Sequence, residues 1–274
     1  MNKKFFKILK IIKEKIINFR YKKTFIFFLL LLFIIIFSND NRFSKPHIAK
    51  IKIEDIITQD IFRYEKLIEL SKNNNTKAVI VFINSPGGTV VGGETLYKSL
   101  KNISEQKPVI SVMGELATSA AYMASLGSEY IYAQEGTITG SVGVLVLTSE
   151  FTELAKKIGV STEVIKSGDL KASPSPLEKM TPETRKETQK IVKEMSKNFI
   201  NLVKKERNLD QKTINLISDG RIFTGKSARK LGLIDNIGNL EEAKNYLNEK
   251  YKIIDLPVHE FNIIKEASFT EKFY

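Results

Sequence analysis

"KAVIVFIN", residues 77–84, is the stretch on which the fold turns. A run of β-branched and aromatic side chains this short, closed by Ser85-Pro86-Gly87-Gly88, reads as a buried strand ending in a turn. Helix signals follow at once in "GGETLYKSL" (92–100), and the alternation continues in both directions. "HIAKIKI" (47–53) reads as a strand and "IFRYEKLIELSKN" (61–73) as a helix before it. After it come "PVISVM" (108–113) as a strand, "ATSAAYMAS" (117–125) as a helix and "EYIYA" (129–133) as a strand. "EFTELAKKIG" (150–159) is predicted helical and "TEVIKSG" (162–168) extended. Strands separated by helices of about ten residues indicate an α/β fold of βα units around a largely parallel sheet. "TPETRKETQKIVKEMSKNFINLVKKERN" (181–208) is one long amphipathic helix, opened by Thr181 and Glu183 and closed by lysines. Its stripe of Ile191, Met195, Phe199 and Leu202 suits a core or a subunit interface.

The 274 residues suffice for one sizeable domain plus attachments. Residues 1–23 hold nine Lys/Arg against Glu14 alone, so that +8 of the net charge of +12 lies there. Basicity concentrated in a leader, not spread over a folded face, argues against nucleic acid as a partner. "TFIFFLLLLFIIIFS" (24–38) follows without a charge or a helix breaker. As a helix it spans ~22 Å against a ~30 Å hydrocarbon core, and Lys22 and Lys23 can snorkel to relieve the shortfall. A retained transmembrane anchor and a cleaved signal segment are both open. The long basic leader favours the anchor, as does the absence of a small-x-small cleavage site, where Ile36 and Ser38 stand. In either case the lysines stay in the cytoplasm and the rest of the chain is expected outside it, on the periplasmic side of the cell membrane. The expected organisation is a basic cytoplasmic segment (1–23), an anchor (24–38), a polar linker (39–46), a catalytic domain (47–254) and a tail (255–274).

The absence of cysteine excludes disulfides, thiolate metal sites and a cysteine nucleophile. With only His47 and His259, neither in a metal-binding spacing, no metal and no cofactor is expected. Ser119 sits among alanines just after a strand, where it reads either as a helix N-cap or as a nucleophile that a peptide backbone can approach closely. "VIVFINSPGG" (79–88) reads either as a simple Pro-Gly turn or as a loop whose outward N–H groups hold an oxyanion. "TITGSVGV" (137–144) is a second Gly-punctuated turn with Ser141, and "IKSGDLKASPSP" (165–176) places Lys171 between Leu170 and Ala172. "GRIFTGKS" (220–227) matches the phosphate-binding G-x-x-x-x-G-K-[ST] pattern, yet bulky Ile222 and Phe223 and the half-polar "TINLISDG" before it argue against ATP.

Taken in order, "INSPGG", "ATSAAY", "ITGSVGV" and "IKSGDLK" resemble the serine–lysine signal peptide peptidases of the protease IV type, within the Clp protease/crotonase fold superfamily. The resemblance runs from about His47 to Leu247. It implies Ser119 as nucleophile and Lys171, 52 residues downstream, as general base. It also implies that Ser141 hydrogen-bonds the lysine and that the amides of Gly88 and Ala120 hold the oxyanion. The family usually has two glycines after the nucleophile, where this chain has Ala120 and Ala121, so a strained oxyanion hole is expected if Ala120 has to take a glycine conformation. A lysine base must release its proton near neutral pH, although free lysine titrates near ~10.4. The resemblance further implies cleavage of remnant signal peptides and other apolar peptides through an acyl-enzyme. It also implies a homo-oligomer in which Ser119 of one subunit meets Lys171 of the next. An acyl-CoA-processing enzyme of the same fold and an inactive membrane scaffold are the alternatives.

Overall fold

The computed structural model describes residues 41–264 together with residues 13, 22–24 and 26–28. The chain separates into two compact units, Met1–Lys45 and Pro46–Tyr274. Among the described residues no helix is long and apolar enough to cross a membrane. The anchor expected over 24–38 lies largely outside the described residues.

The second unit is built on an eight-stranded sheet: β1 (His47–Glu54), β2 (Thr76–Ser85), β3 (Val109–Thr118), β4 (Tyr130–Ala133), β5 (Ile138–Gly140), β6 (Ile222–Thr224), β7 (Asn236–Ile237) and β8 (Val258–Glu260). Its spatial order is β6-β5-β3-β2-β1-β8, with β4 pairing both β3 and β7. All pairs are parallel except β5 with β6. The strand expected at 77–84 is β2, at the heart of the sheet, and the expected parallel α/β architecture is what the chain adopts.

The helices of this unit are α1 (Ile61–Lys72), α2 (Val90–Ser104), α3 (Ala120–Ser125), α4 (Thr152–Lys157), α5 (Pro182–Arg207), α6 (Gln211–Ile217), α7 (Gly225–Lys230) and α8 (Leu240–Tyr251). Ile80, Ile110 and Val112 on one face of the sheet pack against Ala243 and Leu247 of α8. The alternate positions Val79, Val81 and Ile83 are equally buried, as the two-residue strand period requires of a sheet covered on both faces. The N-termini of α1, α2 and α5 are capped by Asp60, Thr89 and Thr181, each accepting from the backbone N–H three residues on.

Strand β3 is the element that places the site. Its first half pairs with β4 and its last three residues with β5, so the sheet forks near Gly114. The Asn84 side-chain oxygen bridges the fork by accepting from the Glu115 and Leu116 N–H groups, each at 3.1 Å. The tail expected at 255–274 supplies β8, and Phe261 and Ile263 after it are buried. "TEVIKSG" (162–168) is not a strand: it is irregular and mostly exposed, because no neighbouring strand offers it a ladder.

Candidate active site

Strands β2, β3 and β5 end side by side, and ligand sites of open parallel sheets lie beyond such carboxyl ends. The loop after β2 is clamped from two sides. Gly87 O accepts from Ile57 N–H at 2.8 Å, Thr89 N–H donates to Ile57 O at 2.8 Å, and the Thr118 hydroxyl donates to Pro86 O at 2.9 Å. Both glycines are required by this packing. Gly87 has φ +102°, and a Cβ there would lie 2.8 Å from the Ser119 Cβ; a Cβ on Gly88 would lie 1.9 Å from Ile57 O.

Ser119 stands at the junction of β3 and α3 with φ 54° and ψ −121°. It is held there by its N–H donating to Gly140 O and its carbonyl accepting from Met123 N–H, both at 2.9 Å. The hydroxyl caps nothing: α3 has no side-chain cap bond, in contrast to the helices capped by Asp60, Thr89 and Thr181. The N-cap reading of Ser119 therefore fails, and a half-buried hydroxyl is left free of helix duty. The N–H groups of Gly88 and Ala120 likewise donate to no backbone acceptor among the described residues. The Ile57–Gly88 bridge uses the flanking groups of Gly87 and Thr89 instead. Ala120 lies inside α3 and is absent from the residues with positive φ. The unusual backbone belongs to the serine and not to the alanine after it.

Ser119, Gly88, Ala120 and Ser141 all line one cleft of about 970 Å³. Ser141 has φ 54° and is fixed by its N–H donating to Arg221 O at 2.9 Å. Lys171 does not line this cleft. It is exposed, in a turn closed by its own N–H donating to Gly168 O at 3.0 Å. The segment around it is tied to itself by Lys166–Glu178 and Lys179–Glu153 ion pairs, each at 2.6 Å. The structure thus brings four of the five expected site residues together and leaves the fifth apart within one copy of the chain.

Sequence reading missed the far wall of the cleft. Helix α5 contributes Gln189, Val192, Lys193, Ser196, Lys197, Phe199 and Ile200 to it. The expected stripe of α5 divides accordingly: Phe199 is buried, Leu202 half-buried, and Ile191 and Met195 exposed. The repeat of Val192, Ser196, Phe199 and Ile200 at helical spacing carried the signal, but spacing does not say what a face looks onto. The "GRIFTGKS" stretch is no phosphate loop. It forms edge strand β6 and the six-residue α7, with Thr224 capping Ser227 N–H and Lys226 paired with Glu135.

A family model described as "Peptidase family S49" matches residues 101–253, and one described as "Clp protease" matches residues 46–134. A protein named as a protease in Methanocaldococcus jannaschii is 33% identical over 197 residues, 72% of this chain and 63% of that protein. One named as a signal peptide peptidase, SppA, in Enterococcus faecium is 34% identical over 197 residues, 72% of this chain and 57% of that protein. The matched region spans less than two thirds of either relative. Among solved structures, a membrane-bound stomatin-specific protease superposes with a TM-score of 0.53 at 16% identity, covering 81% of this chain and 99% of that one. That likeness concerns the fold.

Proposed function

Because this chain belongs to peptidase family S49, we propose that it is a serine endopeptidase, held at the membrane by its leader, that cleaves apolar peptides such as remnant signal peptides. One observation carries the reading: the uncommitted Ser119 hydroxyl shares a cleft with the unbonded N–H groups of Gly88 and Ala120. In this mechanism the Ser119 Oγ attacks the peptide carbonyl and its proton passes to the Lys171 Nζ. The Gly88 and Ala120 N–H groups hold the oxyanion, and Lys171 returns the proton to the leaving amine. Water then hydrolyses the ester and regenerates the hydroxyl. Ser141, fixed at the cleft, orients the lysine.

In this reading Lys171 reaches Ser119 from a neighbouring copy. Support comes from its position outside its own chain's cleft and from exposed apolar side chains in the same 145–177 segment, among them Leu147 at 88% and Ile165 at 91% exposure. Apolar surface of this kind marks an interaction face. The apolar cleft residues Ile56, Val90, Met123, Val192 and Ile200 suit an apolar peptide. A fluorophosphonate probe that cannot cross membranes tests nucleophile and topology together. It should label the parent protein in intact spheroplasts and leave Ser119→Ala unlabelled. Labelling only after lysis would overturn the topology, and labelling of Ser119→Ala would overturn the nucleophile.

A further inference from the structure

We propose that Lys193 and Lys197 form a carboxylate-binding subsite on the α5 wall of the cleft, so that the protein selects apolar peptides bearing a carboxylate near the bond to be cut. This inference rests on the peptidase reading and narrows its substrate class. Both lysines line the cleft that holds Ser119. They lie four residues apart on α5, which brings two like charges to one helix face, an arrangement that destabilises a helix in isolation. No ion pair among the described residues involves either of them, whereas Lys190 on the same helix is paired with Glu187. The carboxylate that the cleft does contain, Asp219, is already taken. Arg221 holds it with Nη2 at 2.5 Å from Oδ2 and Nε at 2.9 Å from Oδ1. The cleft therefore pairs an apolar floor with two uncompensated cations, and an apolar peptide with one negative group is the complementary ligand. A free C-terminal carboxylate meets this need, and so does a Glu or Asp side chain.

The test uses binding to the full-length Ser119→Ala protein, so it does not depend on turnover. Anisotropy is measured with a labelled apolar decapeptide as its free acid, as its C-terminal amide, and as an amide with one internal Glu. The acid is expected to bind about three- to tenfold more tightly than the neutral amide, the range that two exposed ion pairs supply. The preference should vanish in a Lys193→Gln/Lys197→Gln background, persist with Arg at both positions, and shrink at high salt. If the Glu amide binds like the acid, any carboxylate serves; if it binds like the neutral amide, the terminus is what is read. Equal affinities for all three peptides would overturn the subsite, as would no binding at all or a preference that survives the Gln substitutions. Failure of the peptidase reading would instead appear as a lack of probe labelling at Ser119.

Discussion

Ser119 occupies a backbone region that costs a non-glycine residue about 1–3 kcal/mol and persists only where the surroundings over-determine it. The surroundings here are the Gly140 and Met123 backbone bonds and the close approach of Gly87. Strain of this kind aims a side chain outward at a strand-to-helix turn, as at the nucleophile elbow of α/β-hydrolases. The anticipated burden on Ala120 does not arise, since a helical alanine has its N–H where α3 begins. Gly88 is the more exacting position. In Gly88→Ala the new Cβ would meet Ile57 O at 1.9 Å, so the 85–89 loop must lift and carry its N–H away from the oxyanion. Loss of one oxyanion donor costs about 10²–10³ in rate, and kcat/KM for peptide hydrolysis should fall by that order. Gly136→Ala, with nothing within 4 Å of its Cβ, is the matched control and should stay close to parent. Parent-like turnover in Gly88→Ala would remove Gly88 from the mechanism.

Helix α5 links site and core. Near its C-terminus, Arg207 makes a bidentate pair with Asp235 at 2.9 Å and 2.9 Å and donates to Gly232 O, fixing the helix to the loop before β7. One residue earlier, Glu206 accepts from the Tyr97 hydroxyl at 2.8 Å and from Lys101 at 2.7 Å, tying α5 to α2. Burial alone would raise the Glu206 pKa, but the bonds from Lys101 and Tyr97 outweigh it and hold the carboxyl below its ordinary value. A carboxylate depressed in the folded state contributes stability that is present above its unfolded pKa and lost as pH falls through the folded one. Glu206→Gln should therefore melt below the parent at neutral pH, and the gap should narrow as the pH falls below the ordinary carboxylate range and the depressed Glu206 carboxyl of the parent gains its proton. Thermal melts across that range check it; a gap independent of pH would show that the Glu206 charge contributes nothing to docking α5.

At the scale of the whole molecule the proposed mechanism predicts a site shared between copies of the chain. If Ser119 of one subunit works with Lys171 of the next, Ser119→Ala and Lys171→Ala proteins are each inactive alone. Co-assembled, they should recover a fraction of parental activity, because some interfaces join an intact serine to an intact lysine. Two affinity tags verify the mixed assembly and peptide hydrolysis reads the outcome. Verified mixed oligomers without activity would place both groups in one chain. Lys171→Arg should not substitute for the lysine, since guanidinium stays protonated.

The local pattern of the sequence determined the central strands and the helices that join them. In the run 77–84 the consecutive residues Ala78, Val79, Ile80 and Val81 are all buried, and a parallel sheet is how such strands are covered on both faces. With that sheet come the positions of the Ser-Pro-Gly-Gly loop and of Ser119, since both follow directly from strand ends. Three features depended on contacts distant in sequence. Strands β6, β7 and β8, of two or three residues each, carry no periodic signal and exist because β5, β4 and β1 offer edges to pair with. The role of α5 as a cleft wall follows from where α5 docks, which a stripe of apolar residues leaves undefined. The freedom of the Ser119 hydroxyl was also invisible, because a serine at a helix start looks the same whether or not it caps; only the backbone angles forced by Gly87, Gly140 and Met123 turn it away from the helix and into the cleft.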